Sequence, residues 1–201
     1  TAASSVQAYP LDGYEETGIR RVEGARLAHE GLAKGGFQPP GAQLPTDQVD
    51  SRLSADPAFT PPAADAEFSA RVLDILGEHS DRYGMMELDL TDPEHPRLAD
   101  HRGDYRQNVG SVGKLLAALG FFQALADTWP DDLDKRESIL RDTIMTADNF
   151  SVSDHHTLRL FDVETRELTR RPMAIGDQGN VWEFLDWMLS VSSNSAGSMM
   201  R

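Results

Sequence analysis

Residues 111–126 read Ser111-Val-Gly-Lys-Leu-Leu-Ala-Ala-Leu-Gly-Phe-Phe-Gln-Ala-Leu-Ala126, the most apolar run of helical length in the chain. Leu115, Leu116, Leu119, Phe121, Phe122 and Leu125 point to every side of a helical wheel. A helix that is apolar all round belongs in the middle of a packed layer, so residues 112–126 are expected to be buried there. The run is shorter than the ~18–20 residues of a membrane span and is broken by Lys114, so it is not expected to cross a bilayer.

Ahead of this helix, Asp65 is placed to cap a helix in which Phe68, Val72, Ile75 and Leu76 share a face, with Gly77 near its end. Met86, Leu88 and Leu90 then alternate with Glu87 and Asp89, which predicts a strand with one buried face. A turn at Asp92-Pro93-Glu94-His95-Pro96 leads to a returning strand over Arg97–Arg102. A helix followed by an antiparallel hairpin opens an α+β fold, not the alternating unit of a parallel sheet. Beyond the apolar helix, residues 132–145 are expected to be an amphipathic helix carrying Leu133, Ile139, Leu140 and Ile144. Residues 157–171 read as a polar hairpin turning near Glu164. Asn180-Val-Trp-Glu183 has the form of a capping box before Trp182, Phe184, Leu185 and Met188.

The N-terminal third is different. A weak helical pattern over Ile19–Leu32 is diluted by Gly24 and Gly31. Residues 37–64 are rich in proline and suit an extended connector. The expected organisation is an N-terminal extension with connector over 1–64 and a main domain over 65–201. Thr1-Ala-Ala-Ser-Ser5 reads like the exposed start of a processed chain.

The 201 residues hold 19 Lys+Arg against 33 Asp+Glu, a formal net charge of −14. Such a surface repels phosphate backbones, which argues against a nucleic-acid partner. There is no cysteine, so disulfides, thiol catalysis and thiolate metal sites are excluded together.

Two short patterns carry chemistry. Ser111-Val-Gly-Lys114 stands at the head of the apolar helix. Positions i and i+3 are neighbours on a helix, so the lysine can sit beside the serine hydroxyl. An apolar surround would favour the neutral amine, which can accept the serine proton. The helix N-terminus favours negative charge developing near Ser111. The second pattern is Ser192-Ser-Asn194. Its first hydroxyl can relay a proton to a leaving group, and its carboxamide can both donate to a substrate carbonyl and accept from the lysine. Ser-x-x-Lys is expected by composition alone about 0.2 times in this chain, so it is suggestive only in combination.

Ser-x-x-Lys followed by Ser-x-Asn is similar to the arrangement in active-site serine penicillin-recognising enzymes, the class A β-lactamases and low-molecular-mass penicillin-binding proteins. The resemblance spans roughly residues 65–201. It implies a β-lactamase/transpeptidase-like α+β fold, an antiparallel sheet with a helical subdomain. It implies a serine hydrolase or acyl-transferase forming an acyl-enzyme on a β-lactam, a D-Ala-D-Ala peptide or a related amide or ester. In that mechanism Ser111 is the nucleophile, Lys114 the proton acceptor, Ser192 the relay hydroxyl and Asn194 the substrate-binding carboxamide. No metal and no other cofactor is implied, and the substrate is a small molecule or a peptidoglycan-type peptide. Members act in the periplasm or are secreted.

The chain departs from the pattern in three respects. The 81-residue step from Ser111 to Ser192 is long for the family, with the 157–171 hairpin as the natural insertion. Residues 1–60 have no counterpart, and no Lys-Thr-Gly third motif follows Asn194. The expectation is therefore a site completed by downstream residues or by a second chain. The alternative class is a non-catalytic binding or regulatory module of the cell envelope that keeps the fold.

Other readings are weaker. A phosphate loop at Gly113-Lys114 would need glycine at Asn108 and a hydroxyl residue at Leu115. Thr1 as an N-terminal nucleophile lacks a base. Asp154-His155-His156, and His95 with His101, have metal-ligand residue types but read as solvated side chains. Trp182, Phe184, Trp187 and Met188 read as core.

Overall fold

The computed structural model describes residues 13–34, 58–151 and 154–200. The helices are α1 (Tyr14–Thr17), α2 (Arg20–His29), α3 (Ala66–Leu76), α4 (Gly113–Thr128), α5 (Leu133–Asp142), α6 (Val181–Ser190) and α7 (Asn194–Met199). The strands are β1 (Met85–Asp89), β2 (Arg97–His101), β3 (Ile144–Thr146), β4 (Leu158–Asp162), β5 (Glu167–Arg171) and β6 (Gln178–Asn180). The architecture is mixed α and β, and each sheet among the described residues is a small antiparallel pair: β1-β2, β3-β6 and β4-β5. None of the described helices is long and apolar enough to cross a membrane.

The described residues divide into two compact units, 58–108 and a second that joins 13–34 to 109–151 and 154–200. This grouping differs from the boundary expected at residue 64. The reason lies in α2, which packs on β4 and is bolted to α6 by ion pairs. Arg20 Nε lies 2.9 Å from Glu183 Oε1, and Arg21 forms a bidentate pair with Asp186 at 2.5 Å. Gly24 permits this packing, because a Cβ there would meet the Phe161 ring at 2.6 Å. The glycine that weakens the helical pattern in the sequence is thus a close-approach contact. The connector expected over 37–64 lies outside the described residues as far as 57, as does the Thr1–Ser5 start.

In the 58–108 unit Asp65 caps α3 by accepting from the Phe68 N–H at 2.9 Å, and its other oxygen pairs with Arg97. The hairpin pairs Met85 with His101 and Asp89 with Arg97. Only Val72 of the expected α3 face is buried, and Ile75 and Met86 are exposed. Leu98 and Ala99 of β2 supply most of the burial.

The larger unit builds its core on α6. Phe184 is 0% exposed and Trp187 2%, packed with Leu185, Met188, Leu140, Leu158 and Ala196. Asn180 caps α6 by accepting from Glu183 N at 2.8 Å. The reciprocal limb of the capping box is not made, because Glu183 turns to Arg20 instead. α5 ends at Asp142 and not at Met145; Thr143 is extended, and Ile144 and Met145 pair with Asn180 and Gly179 as β3. The 158–171 hairpin is less polar than expected, since Leu158 and Phe161 are buried.

The largest correction concerns α4. Ala118 and Leu125 pack into the α6 core, but Leu115, Leu116, Leu119 and Phe122 are exposed, Leu116 by 69%. The helix is therefore not enclosed all round. One stripe is packed, and a broad apolar face has no cover among the described residues.

Candidate active site

Ser111 sits in a 3-10 turn, Gly110–Val112, that runs directly into α4, and Lys114 is the second residue of that helix. The positive φ of Gly110 (55°) starts the turn. With this geometry Lys114 Nζ lies 3.3 Å from Ser111 Oγ. The i, i+3 relation places both groups on one face.

Val191, Ser192 and Ser193 form the turn between α6 and α7, and Asn194 opens α7. Ser192 has φ +60°, a left-handed conformation that costs a non-glycine residue roughly 1 kcal/mol or more. The turn is held on one side by Ser193 N donating to Trp187 O at 3.0 Å. Ser193 Oγ caps α7 by accepting from Ala196 N. This conformation aims Ser192 O, Ser192 Oγ and Asn194 Oδ1 at one point, and Lys114 Nζ occupies it. The amine contacts the Ser192 carbonyl closely, Ser192 Oγ at 3.1 Å and Asn194 Oδ1 at 2.8 Å.

All four sequence-nominated residues thus converge on the Lys114 amine. Lys114 and Ser192 are half-buried, while Ser111 and Asn194 are exposed to an open cavity of about 820 Å³. Its walls include Ala117, Met188 and Met200 beside the polar group. A polar cluster at the bottom of a partly apolar cleft is the general form of a small-molecule site.

The residue that sequence reasoning missed is Asp154. In sequence it reads with His155 and His156 as solvated, but its side chain is 1% exposed. Oδ2 accepts from Ser193 Oγ at 2.9 Å, Asn194 N at 2.6 Å and Ser195 N at 3.2 Å. Oδ1 accepts from His156 N at 3.2 Å and lies 2.6 Å from His156 Nδ1. Burial pushes the carboxyl pKa up, but the hydrogen bonds from His156, Ser195 and Ser193 outweigh it and hold the group far below the usual carboxylate range. It is a carboxylate, so His156 Nδ1 carries the proton it donates. No local pattern announces this role, because the Ser193, Asn194 and Ser195 donors lie 39 to 41 residues away.

Asp154, His155 and His156 bring ligand-type atoms within 4.8 Å of one another. Both carboxylate oxygens are already engaged by these donors, which makes the trio a poor cation cradle. His95 pairs with Asp92 at 3.0 Å and His101 with the Ser80 carbonyl at 2.7 Å, so each has a local partner.

Comparison with protein-family models, with curated proteins and with solved structures finds no match to this chain.

Proposed function

We propose that the chain carries the nucleophile-bearing part of a serine acyl-transferase or hydrolase of β-lactamase-like fold, acting on a β-lactam, a D-Ala-D-Ala peptide or a related amide or ester. The observation that carries this reading is the contact of one lysine amine with Ser111 Oγ, Ser192 Oγ and Asn194 Oδ1. A neutral amine has two N–H groups and one lone pair. The acylation step requires the neutral form, in which the Ser192 carbonyl and Asn194 Oδ1 take the two N–H groups and the lone pair faces the Ser111 hydroxyl. Ser111 Oγ then attacks the acyl carbon as its proton passes to Lys114 Nζ. Lys114 passes that proton to Ser192 Oγ, which gives its own to the departing amine, and the acyl group stays on Ser111 as an ester. Water or an acceptor amine releases it and returns the proton to the serine.

On this reading the enzyme works in the periplasm or outside the cell, where such substrates lie. The exposed face of α4 supports completion by further strands, from the remainder of the same protein or from a second chain. The same face favours a second reading, a binding or regulatory module of the cell envelope that keeps the fold without turnover.

Intact-mass measurement of the full-length protein after incubation with benzylpenicillin separates the two. A stoichiometric adduct mapped to Ser111 and lost in Ser111→Ala supports the enzyme. A folded, unmodified protein overturns the acylation mechanism in favour of the binding module.

A further inference from the structure

We infer that Asp154 is the positioning residue of this site: its carboxylate fixes the Ser192–Asn194 turn so that three acceptors converge on Lys114. The inference rests on the proposed function only in taking that convergence as the working part of the site.

Three observations carry it. Ser192 holds an unfavourable left-handed conformation, which persists only where the surroundings over-determine it. Oδ2 of Asp154 gathers donors from the three residues that follow Ser192, namely Ser193 Oγ, Asn194 N and Ser195 N. These three bonds act together with the Ser193–Trp187 anchor. Oδ1 is meanwhile bound by His156 N and Nδ1, so the carboxylate is itself clamped and cannot swing to follow the loop. Asp154 touches neither Ser111 nor Lys114 among these contacts and acts through the turn alone. Its almost complete burial keeps water from replacing it as the acceptor.

Asp154→Asn is the discriminating variant. The carboxamide is nearly isosteric but has a single acceptor oxygen, and its N–H2 opposes donors on whichever side it faces. Either the His156 clamp or the Ser193–Ser195 donors lose their partner.

The readout uses the three lysines of the chain, Lys34, Lys114 and Lys135, of which Lys34 and Lys135 are exposed. Limited labelling with acetic anhydride, quantified by peptide mass spectrometry, reports the freedom of each amine in the folded 201-residue chain. The Lys114-to-Lys135 labelling ratio of the parent chain, taken at one fixed pH, is the reference. In Asp154→Asn this ratio changes about fivefold, the scale set by one net hydrogen bond, with the far-ultraviolet circular dichroism unchanged. A folded variant with an unchanged Lys114-to-Lys135 ratio overturns the inference. If Asp154→Asn does not fold, His156→Phe removes the side-chain donor to the same carboxylate and is read in the same way. A changed ratio supports the inference and an unchanged one overturns it.

The labelling is independent of turnover. Failure of penicillin to acylate the full-length protein would sink the enzymatic mechanism and leave the labelling result standing. Where the parent protein is acylated, Asp154→Asn slows the acylation step with the far-ultraviolet circular dichroism unchanged. Acylation at the parental rate overturns the positioning role.

Discussion

Lys114 Nζ and Asn194 Oδ1 lie 2.8 Å apart although 80 residues of chain separate them. Each belongs to the first turn of its helix, so the contact exists only while the starts of α4 and α7 face each other. The proposed chemistry needs this acceptor to be neutral. Asn194→Asp preserves the size and the acceptor oxygen but adds a negative charge that favours the ammonium form of its neighbour. The folded variant is expected to lose about 10²-fold or more in the rate of penicillin acylation at pH 7, because the proton acceptor is withheld. Its thermal midpoint should be equal to or above that of the parent. Acylation of Asn194→Asp at the parental rate would show that Lys114 does not accept the serine proton.

Two helical glycines should respond with opposite sign to alanine. Gly24 of α2 faces the Phe161 ring, and an added Cβ would lie 2.6 Å from it. The clash outweighs the helix-propensity gain of up to about 1 kcal/mol, and Gly24→Ala should destabilise the chain by about 1–3 kcal/mol. Gly120 of α4 has nothing within 4 Å of its Cβ position, so Gly120→Ala should stabilise by about 0.5–1 kcal/mol. Denaturant unfolding of the two variants checks both signs. A neutral Gly24→Ala would mean that α2 does not pack on β4 as described.

These examples show what the sequence makes legible. Helix starts are local: Asp65, Asp132 and Asn180 each accept from the N–H three residues on, and each can be read from residue type alone. The neighbourhood of Ser111 and Lys114 is equally local, since three residues on a helix fix it. What escapes is set by partners remote in sequence. Gly24 reads as a helix-weakening residue until Phe161 is in place against it. Ile144 and Met145 continue an amphipathic pattern until β6 offers them a ladder. Asp154 reads as part of a solvated polar run until the Ser193–Ser195 donors close on it. The apolar wheel of residues 112–126 correctly marks a helix, but periodicity does not say what covers each side.

Asp177 supplies a pH-dependent stabilisation in the larger unit. Its oxygens pair with the Arg171 guanidinium at 2.6 Å, and one also accepts from Ala174 N at 2.7 Å. The Arg171 hydrogen bonds lower the Asp177 pKa below its ordinary value, with burial opposing and the Ala174 N–H adding to the effect. The depressed folded-state pKa means that the stabilisation is fully present above the unfolded value of about 4 and is lost as the pH falls through the folded one. Asp177→Asn should therefore lower the thermal midpoint at pH 6 and 7 by equal amounts, with the gap to the parent closing below about pH 4. A gap of the same size at pH 3 would show that the carboxylate charge does not contribute.

The uncovered face of α4 gives the last expectation. Leu115, Leu116 and Leu119 are 59%, 69% and 63% exposed, and Leu116 and Leu119 stand three apart on the helix. Apolar residues concentrated in this way leave a patch that favours association, because burying them removes apolar surface from water at about 25 cal/mol per Å². The 201-residue chain on its own should self-associate at micromolar concentration and bind an apolar dye. Leu116→Glu combined with Leu119→Lys should make it monomeric without lowering its thermal midpoint, since neither side chain enters the core. A protein completed by strands over this face should instead be monomeric as the parent and lose stability in the same double variant, because the two charges would then be buried. Sedimentation of the parent and the variant in both contexts distinguishes these outcomes. A parent chain that is monomeric throughout and binds no dye would show that α4 needs no cover.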